Sequence, residues 1–139
     1  MKKIYSSGHN FQLSGVLGDS LFAVLLAKNR QTPLKAQDKE SLGMKMKLAT
    51  FNINGVKARL PALCDWLDSS APDIALLQEI KSVDEGFPRD LFEDRGYQVV
   101  THGQKSFNGV AILSKLPLED ISFGLPGDPD DVQARWIEA

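Results

Sequence analysis

Thr50-Phe51-Asn52-Ile53-Asn54-Gly55, followed one helix later by Leu76-Leu77-Gln78-Glu79, decides the reading of this chain. Each stretch is an apolar run closed by an oxygen-bearing side chain, Asn52 in the first and Glu79 in the second. Packing preference does not end apolar strands this way, since both residue types are usually exposed. A strand, a short helix and a second strand make parallel neighbours joined by a right-handed crossover. The carboxyl ends of the two strands then lie side by side, where open α/β sheets place their ligands. A neutral amide oxygen beside a carboxylate suits a hard cation such as Mg²⁺, which takes oxygen ligands and keeps several waters.

Working outward, the strand runs from Lys47 to Ile53, with Leu48, Thr50 and Asn52 on one face and Ala49, Phe51 and Ile53 on the other. Gly55 breaks it. A helix over Ala58 to Ser69 carries Leu60, Leu63, Cys64 and Leu67 on one stripe. Pro61 is tolerated in its first turn, and Ser69, Ser70 and Pro72 end it. Asp73 to Gln78 is apolar on both faces, as buried parallel strands are. A short helix is expected from Phe87 to Arg95, capped by Gly96. Strands follow at Tyr97 to His102 and Gly109 to Ser114, and their short connection predicts an antiparallel hairpin. Leu118 to Phe123 reads as an edge strand, Gly124 to Asp131 as a loop, and Arg135 to Ala139 as the start of another strand.

Residues 1–45 differ in character. They are mildly basic, with an apolar run near Gly15 to Ala27 interrupted by Asp19. Ser20 to Lys28 is expected to form a short helix, and Gln31 to Gly43 reads as a polar linker. The expected organisation is a poorly ordered extension over 1–45 and a domain over 46–139, beginning at Met46.

The bulk composition sets the outer bounds. With 139 residues, 42 % hydrophobic, one domain with a core is expected. A net charge of −2 argues against binding nucleic acid through bulk charge alone. A bound cation can still supply local positive charge. The single cysteine, Cys64, excludes an internal disulfide and reads as core packing, consistent with a reducing compartment. No stretch is long enough to span a bilayer.

Other candidates have ordinary readings beside the functional ones. Asn54-Gly55 is a common turn pair. Glu79 can pair with Lys81 or Arg59 as an exposed strand end. The loop His102-Gly103-Gln104-Lys105-Ser106-Phe107-Asn108-Gly109 can hold phosphates through backbone N–H groups and Lys105, or serve as a polar hairpin loop. His102 has no evident carboxylate partner for a catalytic base. Arg135 can contact a phosphate or pair with Asp131. Asp128, Asp130 and Asp131 lack the alternation and closing Glu of a calcium loop and read as a solvated turn.

The combination is more specific than its parts. Met46-Lys47-Leu48-Ala49-Thr50-Phe51-Asn52-Ile53-Asn54-Gly55-Val56-Lys57-Ala58-Arg59 closely resembles the opening of the exodeoxyribonuclease III family. So does Asp73-Ile74-Ala75-Leu76-Leu77-Gln78-Glu79-Ile80-Lys81. The runs Gly96-Tyr97 through Lys105, Gly109 through Lys115, Gly124 through Asp128 and Gln133-Ala134-Arg135 continue the likeness, which spans Met46 to Ala139.

The resemblance implies an α/β fold, the N-terminal half of a four-layer α/β sandwich in which a mixed sheet is covered by helices. It implies a Mg²⁺- or Mn²⁺-dependent DNA repair nuclease acting on double-stranded DNA, at abasic sites and 3′ ends. Such a protein would be cytoplasmic, associated with the nucleoid by function, and monomeric at full length. Asn52 and Glu79 fall on the metal positions, with Glu79 a direct ligand and Asn52 a ligand or an orienting group. Lys105, Asn108 and Arg135 fall near the DNA-facing side. The family's later half supplies a Tyr, an Asp-x-Asn pair, a further Asp and a closing Asp-His pair, which have no positions here. The expectation is therefore a truncated, inactive or weakly active chain, its catalytic base and phosphate-binding residues lying past Ala139. Two other classes stay open: a phosphatase or phosphodiesterase of the same superfamily, and a non-catalytic DNA-binding module.

Overall fold

The computed structural model describes residues 46–139 together with the strand Ala23–Leu25. In chain order the strands are β1 (Ala23–Leu25), β2 (Leu48–Asn52), β3 (Ile74–Gln78), β4 (Gln98–His102), β5 (Val110–Ser114), β6 (Ser122–Phe123) and β7 (Trp136–Glu138). The α-helices are α1 (Leu60–Ser70) and α2 (Arg89–Glu93). Among the described residues no helix is long and apolar enough to cross a membrane.

Two sheets form. The first has four strands in the order β2-β3-β5-β4. Its β2 and β3 are parallel, with Asn52 opposite Gln78 at their carboxyl ends. β3 pairs antiparallel with β5, and β4 with β5, so the expected hairpin is present and the sheet is mixed. The second sheet has three strands in the order β1-β7-β6, parallel at β1-β7 and antiparallel at β7-β6.

Alternation along the strands divides the core into two layers. On one face of the first sheet Ala75, Leu77, Val99, Ala111 and Leu113 pack against Leu63, Cys64, Leu67 and Phe92 from the helices. Cys64 is a free, buried thiol within this layer, as its place on the apolar stripe predicts. On the other face Ile74, Leu76, Val100, Val110 and Ile112 pack with Ile137 of the second sheet. Helices on one side and a second sheet on the other give the expected mixed α/β layering. Asn52, in step with Leu48 and Thr50, belongs to the face away from the helices.

The element ends show where tertiary forces outvote local pattern. α1 begins with Pro in its first turn and ends at Ala71, whose left-handed backbone (φ 43) sends its N–H to the Leu67 carbonyl at 2.8 Å. α2 is shorter than expected. Phe87 precedes Pro88 and is extended, as residues before proline are. At the other end Gly96 takes the predicted left-handed form, φ 79. β6 is also shorter than the predicted run from Leu118. Asp120 is left-handed (φ 52), and the Leu118 N–H is taken by the Gln98 side chain at 2.9 Å, so regular pairing starts only at Ser122.

One expectation is overturned. Within the helix predicted for Ser20 to Lys28, the described part, Ala23–Leu25, is a strand paired in parallel with Trp136–Glu138. A short apolar run does not distinguish the two periods, and an open edge of β7 supplies hydrogen-bond partners that an isolated helical turn lacks. The linker expected at Gln31 to Gly43 lies outside the described residues.

Candidate functional site

The two residues singled out first meet directly. The Asn52 amide donates from Nδ2 to Glu79 Oε1 at 2.6 Å. The Asn52 Oδ1 is itself occupied, accepting the Asn54 N–H at 2.9 Å in a local side-chain turn. Asn52 therefore presents N–H to the carboxylate, and its oxygen closes the turn that follows β2.

Strand geometry alone would not bring Glu79 here. Gln78 faces the same way as its register partner Asn52, so regular alternation would send Glu79 to the helix-covered face. Instead Glu79 is left-handed, φ 51. That twist breaks the pleat and lets the carboxylate reach Asn52. Asn54 (φ 48), Lys81 (φ 50) and Asn108 (φ 50) share this sparsely populated conformation. Such residues cost on the order of 1 kcal/mol or more each and persist where the surroundings over-determine them.

The surroundings here are backbone hydrogen bonds from three segments. Gly55 N–H donates to the Glu79 carbonyl at 2.8 Å and Val56 N–H to that of Ile80 at 3.0 Å. Ile80 N–H in turn donates to Gly109 at 3.1 Å and Lys81 N–H to Asn108 at 3.0 Å. Gly109 N–H then reaches the Ala134 carbonyl at 2.9 Å. The turn after β2, the turn after β3, the loop before β5 and the approach to β7 are thus stitched into one rim. Gly109 is needed at its crossing. Its φ is +81, and a Cβ there would stand 2.6 Å from Ile80 Cγ1.

Side chains extend the same network. Gln104 Oε1 accepts from Asn108 Nδ2 at 3.0 Å and from Ala134 N–H at 3.1 Å. Asn108 Oδ1 accepts from Arg135 Nε at 3.3 Å. Arg135 thus joins Asn108, and Asp131 instead accepts the Gln133 N–H at 2.9 Å. Lys105 is exposed at the outer part of the loop, beside the exposed Phe107. His102 Nδ1 lies 3.1 Å from the Trp136 carbonyl, with Phe123 edge-on to its ring, so it ties β4 to the second sheet. Asn54, read from sequence as a turn residue only, also accepts a hydrogen bond from Lys81 Nζ.

Electrostatically, Glu79 is the centre. Lys81 Nζ lies 3.2 Å from Glu79 Oε2, one of the two pairings its ordinary reading allowed. The other candidate, Arg59, donates to the Asn54 carbonyl at 2.5 Å. The Asn52 hydrogen bond holds the Glu79 carboxyl below its usual range, against the opposing pull of burial and with further help from the Lys81 ammonium. Glu79 is therefore anionic at neutral pH. Among the described residues no group of three His, Cys, Asp or Glu side chains could enclose a metal. One charged carboxylate, oriented by an amide at an open rim, fits a hard cation that keeps most of its waters. Gln104 and Gln133 join this rim in roles that the sequence reading did not mark. Their roles depend on contacts between distant segments, and local pattern carries no signal for them.

Comparison with known proteins agrees with this architecture. Residues 49–139 match the Endonuclease/Exonuclease/phosphatase family. Exodeoxyribonuclease III of Haemophilus influenzae is 46 % identical over 94 residues, covering 68 % of this chain and 35 % of that protein. A structure of the Neisseria 3′ phosphatase NExo bound to product DNA hairpin is 43 % identical with a TM-score of 0.64, covering 66 % of this chain and 36 % of that one. An AP endonuclease from Archaeoglobus fulgidus is 45 % identical with a TM-score of 0.59, covering 62 % and 34 %. The chain spans about a third of the length of these relatives. The family match extends over well more than half of the chain, and the mixed sheet with its rim of Asn52 and Glu79 lies within it: this chain belongs to the endonuclease/exonuclease/phosphatase family.

Proposed function

We propose that this chain carries part of the active site of a divalent-metal-dependent DNA repair nuclease of the exodeoxyribonuclease III type, hydrolysing phosphodiesters at abasic sites and 3′ ends. The observation that carries the reading is the 2.6 Å contact between Asn52 and Glu79 at the rim of the sheet. The names of the relatives support it, as does the DNA hairpin bound to the Neisseria protein.

In this reading Glu79 is the direct ligand of Mg²⁺ or Mn²⁺, and Asn52 holds its carboxylate in position. The cation, when bound, supplies charge to stabilise the oxygens of the phosphate under attack. The chain's own residues bind and orient. Arg135 and Lys105 are exposed cations that attract the DNA backbone, and Arg135 is held by Asn108. The pinned loop before β5 presents Asn108 beside the Glu79 turn. Cleavage by this chain alone is expected to be weak or absent, since among the described residues no group of three His, Cys, Asp or Glu side chains assembles to hold a metal. The natural setting of such an enzyme is the cytoplasm, on chromosomal DNA.

The experiment combines binding and cleavage. Mn²⁺ binding to the chain, followed by electron paramagnetic resonance, should be abolished by Glu79→Gln. Binding to a duplex with an abasic site should require Arg135 and outcompete binding to a phosphoinositide headgroup. Absence of Mn²⁺ binding would refute the metal assignment, and preference for the headgroup would move the substrate class away from DNA. Robust cleavage lost in Glu79→Gln would keep the nuclease and overturn the expected weakness. A second reading, removal of a 3′ phosphate from DNA, is favoured by the description of the Neisseria relative as a 3′ phosphatase. A duplex bearing a 3′ phosphate, assayed beside the abasic duplex, separates the two.

A further inference from the structure

We propose that the Lys81 ammonium is a resident counter-ion of the Glu79 site, which a divalent cation must displace in order to bind. This rests on the reading of Glu79 as a metal ligand. Lys81 Nζ lies 3.2 Å from Glu79 Oε2 and also donates to Asn54 Oδ1. The other carboxylate oxygen, Oε1, is already held by the Asn52 amide at 2.6 Å. Each carboxylate oxygen therefore already carries one partner, and the partner on Oε2 is a cation.

The backbone places it there. Lys81 and Glu79 are both left-handed, conformations that L residues rarely adopt. Lys81 N–H is fixed to the Asn108 carbonyl at 3.0 Å, so the side chain leaves the loop pointing back across the turn to Asn54. The side chains of Lys81 and Glu79 are 32 % and 22 % exposed, so the pair sits in the mouth of the site and not in open solvent. Arg59, a further charge near this turn, is engaged on the Asn54 carbonyl.

Two cations cannot share one carboxylate oxygen without strong mutual repulsion at such separations. Metal entry is therefore an exchange. The ammonium leaves Oε2 and swings outward on its flexible stem, and the metal takes its place. With no metal bound, Lys81 keeps Glu79 neutralised and oriented. The same contact holds metal affinity down. Lys81 acts through Glu79 and is a positioning residue.

The test titrates Mn²⁺ into the whole chain at fixed neutral pH and ionic strength, reading free Mn²⁺ by electron paramagnetic resonance. Lys81→Gln removes the charge. Lys81→Gly removes the side chain at a backbone angle that glycine favours, which protects the fold. Both should bind Mn²⁺ about threefold more tightly, or better, than the unaltered chain. Lys81→Arg should return to within about twofold of it, since it restores the charge. A residue with a merely structural role would lower the affinity on removal, not raise it. Equal or weaker binding by both folded variants overturns the proposal and leaves the metal reading intact. Failure of both to fold, read by far-ultraviolet circular dichroism, would make Lys81 structural and overturn it too. No binding by the unaltered chain, or unchanged binding by Glu79→Gln, defeats the metal reading itself.

Discussion

Replacing Glu79 with Gln tests the physics of the rim with one near-isosteric change. Glutamine keeps the shape and one acceptor for the Asn52 amide, so a hydrogen bond survives. What is lost is the charge. A bond to a charged group is worth about 1.5–3 kcal/mol against about 1 kcal/mol for a neutral one, so the difference is about 1 kcal/mol. The Lys81 partner adds a few tenths of a kcal/mol, kept small because that side chain is about a third exposed. The sum is a destabilisation of about 1–2 kcal/mol at neutral pH. The pH dependence follows from the direction of the Glu79 shift. Its carboxyl titrates below the ordinary 4.5 in the folded chain. Its contribution is therefore complete above the unfolded value and lost as pH falls through the lower folded value. Other carboxylates titrate in both proteins and cancel in the difference. Urea unfolding of both proteins, followed by circular dichroism from pH 7 downward, reads the gap directly. It should be full at pH 7, narrow below pH 4.5 and close at the lowest pH where both remain folded. A variant as stable as the parent at pH 7, or a gap that persists unchanged into acid, would refute the reasoning.

Gly109→Ala should cost about 2–3 kcal/mol in urea unfolding, because the new Cβ would meet the buried Ile80 at 2.6 Å under a left-handed backbone. Leu77→Ala should cost about 2–5 kcal/mol in the same assay, since Leu77 is fully buried in the helix-side layer. Arg135→Ala is exposed and should change stability by less than about 0.5 kcal/mol. On the proposed DNA surface it should weaken duplex binding at every sequence and reduce the slope of log affinity against log salt by about one, measured by fluorescence anisotropy.

Much of the scaffold was legible because its signals are local and repeated. The stripe Leu60, Leu63, Cys64, Leu67 is a helical period, and α1 forms over it. The all-apolar Ile74 to Leu77 reads as a strand buried on both faces, and β3 is the central strand between β2 and β5. Where a segment is short, the period is ambiguous and neighbours choose. Ala23–Leu25 became a strand on the edge of β7, and β6 shrank to Ser122–Phe123. In the rim, polar residues closing apolar runs marked Asn52 and Glu79. No local rule marked Gln104 or Gln133, whose partners come from other segments.

The amino-acid sequence by itself determined which strands are apolar, that β2 and β3 run parallel across α1, and that an amide and a carboxylate close them at one rim. Only the tertiary structure decided that those two side chains touch. Period-two alternation would turn Glu79 away from Asn52. The carboxylate comes back because Glu79 is left-handed, in a turn that accepts a hydrogen bond from Gly55 N–H and donates to the carbonyls of Asn108 and Gly109. A strained backbone angle is selected by contacts between segments remote in the chain, and so it leaves no trace in the local pattern of residues.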